Sequence, residues 1–121
     1  MKTQTKIWIT TSFIGFHRWA EAQDSLKYLS YRHRHKFGVR VEVTPTSSKD
    51  RSTEFHSLKE TVDKITSHIS ELSQTEDFRW SCEMMAEYII SFLNSTNIYK
   101  SISVSIDEDG ECGATLYLEE K

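Results

Sequence analysis

Two imidazoles stand two residues apart in the stretch SYRHRHKFGVRVEV, residues 30–43: His33 and His35, with Arg34 between them and Val39, Val41 and Val43 alternating beyond. On an extended strand, side chains two apart share a face, so both rings look toward one place. A neutral imidazole offers a nitrogen lone pair that suits zinc, and two such donors from one strand call for a third. His17 is the best placed, because it ends an apolar segment that reads as a neighbouring antiparallel strand. His56 opens a helical pattern, and His68 lies between Ile65 and Ile69 off the main apolar stripe. The competing reading of the pair is a solvated basic strand, in which Arg32, Arg34 and Lys36 pair with phosphate.

Other reactive groups carry weaker signals. Glu54, Glu83 and Glu108 each fall at the expected edge of an element, where a carboxylate favours a helix N-terminus or a turn. Glu83 follows Ser81, a candidate N-cap, by two residues. No local Ser-His-Asp or Cys-His signature is present, and 4 glycines in the whole chain leave no room for a glycine-rich phosphate loop. The 2 cysteines, Cys82 and Cys112, have no CxxC spacing and form no framework. They read as reduced thiols packed as small apolar residues in a cytoplasmic protein.

The elements that must position these groups follow from periodicity. With 121 residues the chain is expected to form one domain over positions 1–121. Its formal charge of −3 lacks the basic excess of a general nucleic-acid binder, and nucleic acid is not expected as a partner. The charge is uneven, with five Lys/Arg and no acid from Lys27 to Arg40, and six acids and no base from Asp107 to Glu120. No apolar run approaches the roughly 18 residues of a membrane span, and no signal peptide is recognisable. "TKIWITTSFIGF", residues 5–16, reads as a first strand and residues 34–44 as a second, ended by Pro45. Leu58, Val62, Ile65, Ile69 and Leu72 form one apolar stripe on a helix of about four turns. A second helix starts near Trp80 or Ser81, with an apolar face of Met84 or Met85, Tyr88, Ile89 and Phe92, and stops at Asn94–Asn97. "SISVSI", "DEDGECG" and "ATLYL" read as a closing hairpin. The order β-β-α-α-β-β predicts an α+β fold, a four-stranded antiparallel sheet with two helices on one face. Its open edges favour oligomerisation.

Five short segments, in this order, resemble the 6-pyruvoyl-tetrahydropterin synthase and 6-carboxy-tetrahydropterin synthase family of T-fold proteins. "FIGFH" is similar to F-x-A-A-H, "HRHKF" to H-G-H-x-F and "EFHSLK" to D-F-x-x-L-K. "SCEMMAEYI" is similar to P-T-x-E-x-x-A-x-x-I, and "VSIDEDGECGATLY" to V-x-V-x-E-T followed by a tyrosine. The resemblance spans nearly the whole chain. It implies zinc held by His17, His33 and His35, and subunits joined into a barrel as a homo-oligomer of trimer or hexamer type. It also implies a pterin- or purine-like ring bound between subunits, with Glu108 as the base-recognising acid and Glu83 at a second conserved position of the motif.

Departures from the pattern bear on chemistry. Leu29 stands where the family carries a catalytic cysteine, and leucine moves no proton. The family's Asp-His pair would fall on Ser67 and His68 in a helix shortened by three residues, which leaves His68 as the candidate catalytic acid/base. The resemblance therefore favours a protein that binds a pterin, purine or nucleotide-like molecule, to sequester or sense it, without the standard synthase reaction. On that reading Glu108 and Glu83 hold the ring, and Arg32 and Arg34 meet a phosphate. The alternative is a divergent zinc-dependent enzyme of pterin or deazapurine metabolism, a synthase-like lyase using His68. A third reading is an interaction module with vestigial histidines.

Overall fold

The computed structural model describes residues 2–119. The elements run β1 (Ile7–His17), a 3-10 helix (Asp24–Ser30), β2 (His33–Pro45), α1 (Phe55–Leu72), α2 (Cys82–Asn94), β3 (Tyr99–Glu108) and β4 (Cys112–Leu118). The strands form one antiparallel sheet in the order β1-β2-β3-β4. α1 lies against β1, and α2 against β3 and β4. This is the expected order, with a 3-10 helix added between the first two strands. Among the described residues no helix is long and apolar enough to cross a membrane.

Alternation along the strands decides which face is covered. Ile9 and Phe13 of β1, Phe37, Val39, Val41 and Val43 of β2, and Ile102, Val104 and Ile106 of β3 all point into one core. Leu58, Val62, Ile65 and Ile69 of α1 meet them at the spacing of a helical stripe. Burying each such side chain stabilises the fold by about 1.5–3 kcal/mol before entropy is counted. The other sheet face mixes polar groups with exposed Trp8, Ile14 and Tyr117: Ser105 and Thr115 share a hydroxyl hydrogen bond at 2.7 Å, and the Arg40 guanidinium lies 4.3 Å from the Trp8 ring centre.

The helix ends are set by their caps. Glu54 accepts the backbone N–H of Ser57 at 3.0 Å, so α1 begins at Phe55, a turn before the expected stripe. Ser81 accepts the N–H of Met84 at 3.1 Å and starts α2, with Glu83 in the first turn. The buried face of α2 is Met85, Ala86, Ile89, Ile90 and Leu93; Phe92, assigned to that face from the sequence, is exposed. The stripe is broader than a single line of residues, and position 92 rotates off its edge. At the β3–β4 turn, Asp109 and Gly110 adopt positive φ of 58° and 74°. Beyond it only glycine fits at 113, where a Cβ would fall 2.1 Å from the Ile106 carbonyl oxygen.

Candidate metal centre and adjoining cavity

His17 and His33 are direct cross-strand partners at the end of the β1–β2 ladder, and His35 follows two residues along β2 on the same face. The ring centres are 4.6 Å apart for His17–His33, 4.8 Å for His33–His35 and 5.3 Å for His17–His35. One ring nitrogen from each lies within 4.8 Å of the others. Phe37 forms the floor, with its ring 5.2 Å from His17 and 5.5 Å from His35, and is itself stacked on Phe13 at 5.1 Å.

Each imidazole has its Nδ1 committed to an acceptor. His17 Nδ1 lies 2.8 Å from the Trp80 carbonyl, His33 Nδ1 2.8 Å from the Tyr31 carbonyl, and His35 Nδ1 2.7 Å from Asp109 Oδ2. A carbonyl or carboxylate oxygen only accepts, so Nδ1 carries the proton in all three rings and each neutral ring presents Nε2 as a lone pair. Among the described residues, Nε2 of His35 is buried with no hydrogen-bond partner. Three oriented nitrogen donors, one of them an orphan, fit a divalent cation of the zinc type. Burial lowers the basicity of His17 below the ordinary imidazole value, and His33 and His35 push the same way against the Trp80 carbonyl and Glu108. That keeps the ring in the form able to ligate.

Carboxylates and a thiol lie beside the three imidazoles. Glu108, the last residue of β3, places Oε2 3.1 Å from His17 Nε2 and Oε1 3.6 Å from His35 Nε2. The Asp109 carboxyl is held below its usual range by His35 and by the Lys36 backbone N–H, which it accepts at 2.9 Å. Cys82 Sγ lies 3.9 Å from Glu108 Oε2; burial, with Glu108 adding, pushes this thiol up to about 12. Cys82 is half-buried against the core, whereas Cys112 opens edge strand β4 and is exposed, contrary to the packed role read from the sequence.

A cavity of about 440 Å³ adjoins the centre; its lining includes His17, His33, Glu108, Glu83, Cys82 and Leu29, and also Trp19, Arg18 and Arg79. Of the candidates named from sequence, His17, His33, Glu108 and Glu83 line it, and His35 stands beside them in the centre. Arg34 and Lys36 alternate with the histidines and are exposed on the other face of β2. Arg32 packs its guanidinium 3.8 Å from the Phe16 ring centre and lines no part of the cavity. His68 lies on α1 in a shallow hollow with Asp63, Lys64, Ser67 and Glu71, its ring 6.3 Å from that of Tyr88, outside the cavity. A recess of about 670 Å³ at the opposite end of the sheet is lined by hydroxyls, Lys49, Arg51 and His56. The orienting carbonyls of Trp80 and Tyr31 carry no signal in the sequence. Asp109 does, through its place beside Glu108 in the hairpin turn.

No family model and no curated protein matches this sequence. Solved structures do. The chain superposes on 6-pyruvoyl tetrahydropterin synthase from Plasmodium vivax with a TM-score of 0.67 at 12% identity, covering 98% of this chain and 99% of that one. The Plasmodium falciparum enzyme gives 0.69 at 14% identity, with the same coverage. A catalytic-residue mutant of the P. vivax enzyme gives 0.69 at 13% identity. The likeness is one of fold over the whole chain.

Proposed function

We propose that this chain binds a pterin-, purine- or nucleotide-like heterocycle beside a zinc ion held by His17, His33 and His35, and that it sequesters or senses that molecule rather than turning it over. The observation that carries the reading is the convergence of one ring nitrogen from each of the three imidazoles to within 4.8 Å, with every Nδ1 engaged by an acceptor. Such preset donors cost little reorganisation on binding a cation. A bound zinc would supply a positive centre able to polarise a ligand oxygen.

The cavity suits a planar, hydrogen-bonding ligand. Glu108 and Glu83 offer carboxylate acceptors for ring N–H groups, and Leu29 and Trp19 offer apolar surface. Leu29 stands at the cavity wall and His68 outside it, so neither supplies a proton carrier there. The open edges β1 and β4 favour a homo-oligomer in which neighbouring copies finish the site.

The test is metal analysis and native mass spectrometry of untagged protein, followed by equilibrium dialysis against pterins, guanine derivatives and cyclic nucleotides. The expected result is stoichiometric zinc, an assembly of three or six chains, and saturable binding of at least one heterocycle. Absence of both metal and heterocycle binding overturns the reading. Conversion of 7,8-dihydroneopterin triphosphate, lost in His17→Ala, replaces it with the enzymatic alternative.

A further inference from the structure

The Glu108 carboxylate faces two ring nitrogens, one from each of two strands. His17 and His35 already donate through Nδ1, to the Trp80 carbonyl and to Asp109. In their neutral forms the Nε2 atoms at 3.1 and 3.6 Å from Glu108 are lone pairs opposite lone pairs. One added proton satisfies one of these contacts and leaves the other repulsive. A cation between the rings and the carboxylate satisfies both at once. The two contacts come from different oxygens, Oε2 toward His17 and Oε1 toward His35, so the carboxylate spans both rings.

We infer that Glu108 is the fourth donor of the metal centre, closing a His17–His33–His35–Glu108 set in the ligand-free protein. This rests on the metal site proposed above and deepens it. It gives the carboxylate a second task, because a heterocycle whose N–H groups claim Glu108 must take it from the ion and so opens a coordination position. Its place suits both tasks: Glu108 ends β3, paired with Phe37 under the rings and with Cys112 across the hairpin. Its side chain is 27% exposed, against 9% for that of His17, so it has the freer path to the cavity.

Cobalt(II) and zinc titrations of the full chain test this, comparing wild type with Glu108→Gln, Glu108→Asp and the remote Asp63→Asn. The expected result is a four-coordinate cobalt spectrum in wild type and Asp63→Asn. Glu108→Gln should bind about 10-fold or more weakly and change the visible absorption, and Glu108→Asp, with its shorter reach, should alter the spectrum while keeping the charge. Far-UV circular dichroism reports whether each variant folds; should Glu108→Gln fail, the Glu108→Asp spectrum decides. Unchanged affinity and spectrum in the folded Glu108 variants overturn the fourth donor and leave the three-histidine site standing. A wild type that binds neither metal overturns both.

Discussion

Asp109 Oδ2 accepts the Nδ1 proton of His35 at 2.7 Å, while Oδ1 of the same carboxylate accepts the Lys36 backbone N–H at 2.9 Å. One turn residue thus fixes both the tautomer of His35 and the strand that carries it. Asp109→Asn keeps the shape and removes the charge that makes Nε2 of His35 a better donor. Zinc affinity should fall about 10–100-fold, measured by competition with a chromophoric chelator, with the circular dichroism spectrum unchanged.

Phe37 is fully buried under the histidines and stacked on Phe13. Phe37→Ala should cost about 3–5 kcal/mol by urea denaturation, and Phe37→Leu clearly less, since it refills most of the volume. The alanine variant should also lose metal affinity, because two of the rings rest edge-on against that phenyl.

The lowered basicity of His17 makes the metal-free protein sensitive to mild acid. The unfolded chain takes up a proton near pH 6.5, whereas the folded ring does so only at lower pH. Stability from this residue is therefore complete above pH 6.5 and lost as pH falls from there toward the folded value. Thermal melts of the metal-free protein should show Tm falling below pH 6.5, and His17→Ala should flatten that fall.

Cys82 behaves in the opposite range. Burial, then the charge of Glu108, raise its thiol to about 12 from 9.0, so its contribution is present below pH 9.0 and lost as pH climbs toward 12. Iodoacetamide at pH 8 should label exposed Cys112 first and reach Cys82 only after denaturant is added, as peptide mass mapping would show. Equal labelling rates in the native protein would contradict the placement of Cys82.

Much of this was legible in the sequence because it is periodic. The two-residue spacing of His33 and His35 placed both on one face, and the valines beyond them placed that face over the core. His17 could be brought alongside because an antiparallel neighbour pairs it with His33. The stripe on α1 was readable for the same reason, while on α2 the choice between Phe92 and Leu93 turns on a rotation that periodicity alone does not fix. What could not be read depends on distant chain segments meeting. The carbonyl that orients His17 belongs to Trp80, 63 positions away, and the thiol near Glu108 is 26 positions away. Arg32 looked like a phosphate partner on charge alone, but the ring of Phe16 claims its guanidinium.

The bond from His17 to the Trp80 carbonyl ties the connection between α1 and α2 to a ring of the candidate metal centre. When a cation locks that imidazole in place, the peptide just ahead of Ser81 is tethered as well, and the start of α2 inherits the tether. Occupancy of the centre should thus be readable far from any strand, as slower deuterium uptake and slower protease nicking between Ser73 and Ser81. A spectroscopically silent ion would then announce itself through the chain's own backbone.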